Sequence, residues 1–261
     1  MTSRRRTVAA VVGALGLASL GAPLLGWAQG RFGEPVSYTT NAPYDGRYTY
    51  ARIRYAPPEF GGYGGGYRRD VKWDHDYPRS DRHFPKIIQE ITTVNTRTEV
   101  SNIFTLDDPE LMKFPVAYLC EAGFWRPTDA EVAGMRNYLL KGGFIIFDDF
   151  AGSQWENFVT QMRRVLPDLQ PMRLTTEDRV FDAFYRITSL EYTHPYYNVP
   201  SEFWGIYENN DRNGRLMAVI NFNNDISEYW EWSDDSFAFP IAASNEAYKL
   251  GVNYLVYALT R

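Results

Sequence analysis

Three acidic residues have the types and positions to do chemistry. Glu121 follows Cys120 at the end of a short apolar run, and Asp148 and Asp149 follow the apolar run Phe144 to Phe147. Neighbouring carboxylates at strand ends can serve as general acid and base, or bind a hard cation. Adjacent strand residues point to opposite faces, so Asp148 and Asp149 can share a pocket only if the strand has already ended. Otherwise one caps the next helix and the other is solvated. Asp74, with His75 and Asp76, could join the group. Cys120 and His194 have the outline of a thiol nucleophile with a distant base. Cys120 lacks a Gly-x-Cys-x-Gly elbow, and free cysteine is among the most buried residue types, so a core cysteine is expected. Trp125, Tyr196, Tyr197, Trp204, Tyr229, Trp230 and Trp232 fall in expected loops. Such rings beside carboxylates suit sugars, peptides or another protein, although packing over the sheet would also account for them. The expected ligand face comprises Glu121, Trp125, Asp148, Asp149 and His194, with Asp74 beside it. No catalytic residue, metal or cofactor is assigned.

The elements that must position these groups are legible. Val116 to Cys120 reads as a strand. Thr128 and Glu131 have the T-x-x-E spacing of a capping box, and Val132, Met135 and Leu139 then recur at helical spacing. Gly142 and Gly143 can end that helix. Phe144 to Phe147 is continuously apolar, as in a parallel strand buried on both faces. The result is a right-handed βαβ unit whose strand ends carry the carboxylates, the place where open α/β sheets bind ligands.

Around this unit, Ala51 to Tyr55 reads as a first strand closed by Pro57 and Pro58. Phe84, Ile87, Ile88 and Ile91 mark an amphipathic helix, and Thr98 to Ile103 a second strand. Trp155 to Leu166 reads as a helix and Leu216 to Phe222 as a strand. NNDISEYWEWSDDSF reads as an acidic, aromatic loop, and a last helix is expected to be capped by Ser244. This order predicts an α/β fold with a doubly wound, mainly parallel sheet in a three-layer sandwich.

The 261 residues are 44% hydrophobic, enough for one domain with a substantial core, and the net charge is −5, which argues against nucleic acid as a partner. Residues 1–28 read as an export signal. Arg4, Arg5 and Arg6 precede an apolar Gly/Ala-rich run, and Gly26 and Ala28 suit cleavage before Gln29. The paired arginines look like a twin-arginine leader, though no Phe-Leu-Lys follows them. An uncleaved anchor is disfavoured by the glycines and Pro23 within the run. Residues 29–50 form an N-terminal arm and 51–261 a single domain. The glycines 61, 62, 64, 65 and 66 lack the Gly-Lys-Ser/Thr of a phosphate cradle and read as a loop. A lone cysteine allows no disulfide within the chain.

The blocks WDHDYP, AYLCEAGFW with TDAEVAGMRNYLLKGGFIIFDDF, THPYYNVP, RLMAVINFNNDISEYWE and AYKLGVNYLVYALT occur in that order. Over about residues 50–261 they resemble the domain of unknown function 4159 family. The resemblance implies a class I glutamine amidotransferase-like or flavodoxin-like fold. It brings no established activity or cofactor. Some members accompany MoxR-type ATPases and von Willebrand A-type proteins, which become possible partners by resemblance. In active amidotransferases the nucleophilic cysteine sits on an elbow after the strand that here is FIIF, where this chain has Asp148 and Asp149. Their histidine is followed by Pro-Glu, whereas His194-Pro195 is followed by Tyr196. The resemblance therefore implies a fold without amidotransferase chemistry. The expected function is binding or assembly in the periplasm, with a protein or glycan as partner. The alternative is a carboxylate-dependent hydrolase acting on a glycan or peptide. An acidic group of raised pKa in a shared pocket would favour the enzyme, and a large exposed aromatic patch the binder.

Overall fold

The computed structural model describes residues 37–56 and 71–261. The leader, the glycine-rich stretch and Pro57–Pro58 lie outside the described residues. Among the described residues, seven strands form one sheet: β1 (Tyr48–Ile53), β2 (Thr96–Phe104), β3 (Val116–Cys120), β4 (Phe144–Phe150), β5 (Met172–Arg173), β6 (Glu202–Tyr207) and β7 (Leu216–Phe222). Their spatial order is β2-β1-β3-β4-β7-β6-β5. The first four and β7 pair in parallel, and β6 runs antiparallel to both β7 and β5.

Among the described residues, five α-helices cover the sheet: α1 (Arg79–Ile91), α2 (Asp129–Leu140), α3 (Gln154–Val165), α4 (Ile226–Glu231) and α5 (Ile241–Thr260). The strand pleat sorts the core into two halves. Ala117, Leu119, Ile145 and Phe147 face α2 and α3, while Val116, Tyr118, Cys120, Phe144 and Ile146 face α1, α4 and α5. The fold is thus the three-layer, doubly wound sandwich that the βαβ pattern implies. Each large apolar side chain buried in these layers stabilises by roughly 1.5–3 kcal/mol.

The capping box of α2 forms as read, with Thr128 Oγ1 accepting from Glu131 N–H and Glu131 Oε2 accepting from Thr128 N–H. Gly134 lies inside that helix, where glycine costs about 1 kcal/mol relative to alanine. The packing requires it, because a Cβ there would meet the Leu106 carbonyl oxygen at 2.0 Å.

Several expectations are corrected. β1 begins in the expected arm, at Tyr48, and β2 is longer at both ends than read. The acidic loop contains α4, because Asp225 Oδ1 accepts from Glu228 N–H as an N-cap. The last helix starts at Ile241, so Ser244 lies within its first turn and is not its cap. β6 comes from a region without periodicity. The arm also runs along the outer edge of β2. Asn41 exchanges two hydrogen bonds of 2.8 Å with the Ile103 backbone, and Asn102 exchanges two of 2.8 Å with the Ala42 backbone.

Candidate functional site

The connections leaving β1 and β3 run to opposite sides of the sheet, which makes the gap between their carboxyl ends the topological switch point. Glu121 is the first residue after β3 and sits in the left-handed region, at φ 50° and ψ 47°. Tyr55, just beyond β1, donates its hydroxyl to the carbonyls of Cys120 and Glu121, at 3.0 and 2.9 Å, and ties the two strand ends together.

Asp148 and Asp149 lie within β4, which runs on to Phe150, contrary to the expected end at Phe147. The register with β7 slips between Phe147 and Phe150, and Asp149 takes φ 57°. Such a bulge re-aims a side chain. Asp148 is the register partner of Cys120, and the Cys120 thiol donates to Asp149 Oδ2 at 3.5 Å. Both aspartates therefore reach the same side of the sheet, although the strand has not ended.

The third contributor is the segment Lys72–Asp76, brought over the strand ends by a buried arginine. Arg52 on β1 donates Nη1 to the carbonyls of Trp73, at 3.1 Å, and His75, at 3.0 Å. Its Nε contacts both oxygens of Asp81, at 3.2 and 3.1 Å, and its Nη2 donates to Asp81 Oδ1 and to Ser80 Oγ. The guanidinium thereby fixes the turn before α1. Asp76 in this turn is also left-handed, at φ 62°. Left-handed backbone costs a non-glycine residue about 1–2 kcal/mol and clusters at functional sites. Here three acidic residues share it.

These elements converge on one histidine. His75 Nδ1 lies 3.2 Å from Glu121 Oε1 and 3.3 Å from Asp149 Oδ2. Lys72 Nζ lies 3.0 Å from the same Glu121 oxygen. Tyr197 donates its hydroxyl to Asp149 Oδ1 at 2.5 Å. Burial would push Asp149 up, but the hydrogen bonds from His75, Tyr197 and Cys120 prevail and hold its carboxyl below the ordinary range. Glu121 goes the other way. Burial and the charge on Asp149 push it up to about 8, against the pull of His75 and Lys72. Two carboxyl groups with opposite shifts in one site is the pattern of an acid and a base.

Asp148 has a different surrounding. Its Oδ2 accepts from Tyr118 Oη, Ile226 N and Ser227 N at 2.9, 3.0 and 3.1 Å, and its Oδ1 accepts from Asn221 Nδ2 at 3.1 Å. Burial and Asp149 push it up to about 7 while these donors pull it down. It is a buried brace that holds the start of α4, so its place is structural and not on the ligand face.

The other expected residues lie elsewhere. Trp125 is fully buried in the core, 6.2 Å from Phe147, because Asn157 of α3 donates to the carbonyls of Gly123 and Trp125 and holds the turn inward. Asp74 accepts from Tyr38 Oη at 2.7 Å and is outside the His75 cluster. His194 is packed among Tyr196, Tyr197, Tyr229 and Phe239, and burial pushes it down to about 4. Tyr197, not His194, makes the hydrogen bond to Asp149. Cys120 is buried, and its burial and Asp149 push the thiol well up, as befits an inert core cysteine.

Beneath the site, α4 adds more acid. Asp76, Glu228 and Glu231 are all buried and each brings a carboxylate oxygen within 4.8 Å of the others. Tyr196 Oη donates to Glu228 Oε1 at 3.0 Å, and the Asp76 and Glu228 carboxyls hydrogen-bond each other. The Asp225-x-x-Glu228 spacing is the one sequence signal that could have found this helix.

Among the described residues no helix is long and apolar enough to cross a membrane. A family model described as "Domain of unknown function (DUF4159)" matches residues 50–259. No curated protein matches the chain.

Proposed function

The chain belongs to the DUF4159 family, whose description carries no activity, and we propose from its own geometry that it is a carboxylate-dependent hydrolase of a glycan or peptide. One observation carries this reading: Glu121 and Asp149 meet at His75 on the switch point of the sheet. Asp149, ionised and steered by Tyr197, is the nucleophile or base. Glu121, which holds its proton at neutral pH, is the acid that protonates the leaving group. His75 orients both, and Arg52 positions His75. Nearest oxygens of the two carboxylates lie within 4.8 Å. On a glycan this spacing suits a covalent double displacement, since inversion needs carboxyls about 6.5–9.5 Å apart. The leader-like residues 1–28 support action in the periplasm.

A second reading, assembly with a protein partner, rests on the exposed apolar residues Phe237, before α5, and Ile241, its first residue, the former 99% exposed. A panel of peptidoglycan fragments and peptides tests the enzyme directly. Glu121→Gln and Asp149→Asn should each lower turnover by at least about 100-fold, the scale of acid–base catalysis, while the fold is kept. Turnover that both variants retain, or a wild type inert on the whole panel while a partner is captured through Phe237, would reject the hydrolase.

A further inference from the structure

Glu231 on α4 is the least satisfied charged group among the described residues. It is 4% exposed, and its Oε2 is buried without any hydrogen-bond partner. No side-chain hydrogen bond to either of its oxygens is found among the described residues. A carboxylate taken out of water and left without donors is costly, so such a group is protonated, paired or metal-bound; burial and the charge on Asp76 push Glu231 up to about 9. Two further buried carboxylates, Asp76 and Glu228, stand beside it with an oxygen of each within 4.8 Å. The donors present serve those two: Ser227 Oγ to Asp76, and Tyr196 Oη to Glu228 at 3.0 Å.

The nearby cations are committed elsewhere. Arg52 pairs with Asp81, Arg79 with Asp234, and His75 with Glu121 and Asp149. Arg79 also stacks on Trp232, 4.4 Å from its ring centre. Among the described residues no side-chain cation forms an ion pair with any of these three carboxylates.

We propose that Asp76, Glu228 and Glu231 form a binding site for a hard divalent cation of the calcium class. The donor set is all oxygen, which selects hard ions over zinc or copper. Opposite oxygens around calcium, with bonds of 2.3–2.6 Å, stand about 5 Å apart, and the three carboxylates each bring an oxygen within 4.8 Å of the others, inside that span. Three carboxylates offer about six oxygens, and water completes the shell. The spacing of Glu228 and Glu231, three apart on one helix, presents both from the same face. The left-handed backbone at Asp76, φ 62°, turns the third ligand in from the segment before α1. Tyr196 is partly exposed and hydrogen-bonds Glu228, so the site lies one side chain below the surface. As the ion enters, the proton shared by Asp76 and Glu228 leaves to solvent, because ligands must be ionised. The site takes neither Glu121 nor Asp149 as a ligand, and Asp76, within 4.8 Å of Asp149, is where the two sites adjoin.

The test is thermal unfolding of the full chain, freed of metal with chelator and titrated with CaCl2 or MgCl2. Calcium at about 100-fold over its Kd should raise the Tm by about 5–10 °C, with magnesium less effective. Glu231→Gln should abolish that shift. Without calcium the variant should melt at or above the wild type, because it removes a buried carboxylate that has no donor. A merely structural glutamate would give the opposite sign. Glu228→Gln repeats the test if Glu231→Gln fails to fold. The proposal is overturned if neither ion moves the Tm of the wild type, or if the shift survives in both glutamine variants. A shift that survives Glu231→Gln and disappears in His75→Ala also overturns it, by placing the ion at His75, Glu121 and Asp149.

Discussion

Replacing Arg52 by methionine should cost about 4 kcal/mol and dismantle the candidate site from behind. Arg52 and Asp81 both have fully buried side chains. Removing one partner of a buried pair costs about 3–5 kcal/mol, because the remaining charge has nothing to face. After the substitution the hydroxyl of Ser80, at 3.1 Å, is the one side-chain donor left to Asp81 among the described residues. The carbonyls of Trp73 and His75 also lose a donor each, worth about 1 kcal/mol apiece. These losses share one side chain and do not simply add, which leaves about 4 kcal/mol overall. Out of a total stability of roughly 5–15 kcal/mol, that is a large fraction. At about 2–4 °C per kcal/mol for a chain this size, the Tm should fall by about 8–16 °C. The double variant Arg52→Met with Asp81→Leu removes the stranded charge and should recover most of the stability. It should not recover function, since nothing then holds the His75 carbonyl over β3. Urea unfolding followed by tryptophan fluorescence, paired with the turnover panel, separates the two effects. A single variant within 1 kcal/mol of wild type, or a double variant as unstable as the single one, would refute the account of Arg52. Full activity in the double variant would refute its positioning role.

Asp148→Ala should cost about 3–5 kcal/mol in urea unfolding, since it strands the donors of Tyr118, Ile226, Ser227 and Asn221 in the core; a loss under 1 kcal/mol would deny its role as a brace. Cys120 should react with a thiol reagent far more slowly in the native protein than in urea, and labelling at equal rates would expose it as reactive. His194 should make the fold acid-sensitive. Its folded value of about 4 lies below the ordinary 6.5, so its contribution is complete above pH 6.5 and is lost as pH falls toward 4. That contribution is at most about 3 kcal/mol. Relative to His194→Gln, the wild type should lose stability across that window, and parallel pH profiles of the two proteins would contradict the buried neutral imidazole.

The βαβ unit was legible because local signals agree there. Thr128 and Glu131 close a capping box, and four apolar residues in a row from Phe144 leave no face for water. Asp149 lies inside β4, one residue from its end, but the place of Glu121 just after β3 followed directly. That both aspartates reach one side did not, since period-two reasoning assumes a regular strand and the bulge at Asp149 breaks it. His75 was visible only as a neighbour of Asp74 and Asp76. Its place depends on Arg52, a residue 23 positions earlier, and no periodicity reports a contact of that kind. Trp125 follows a turn and precedes Arg126-Pro127, so it read as loop, yet Asn157 of α3 pins it into the core. The helix α4 was missed because aromatic and acidic residues masked the Asp225 cap.

The arm along β2 decides how other chains can meet this one. An open sheet ordinarily offers its outer strands as templates on which an extended peptide can zip by main-chain pairing. Here the side-chain amides of Asn41 and Asn102 trade hydrogen bonds with backbone groups across that border. Asn41 thereby occupies the N–H and C=O of Ile103, and Thr39 Oγ1 the Ser101 carbonyl at 3.3 Å, groups an incoming strand would need at that end of β2. The opposite border is β5, only two residues long, which gives such a strand too little to hold. At the end of the sheet, by contrast, side chains and not backbone would choose what binds. A peptide substrate would be read there by its functional groups and need not be extended at all.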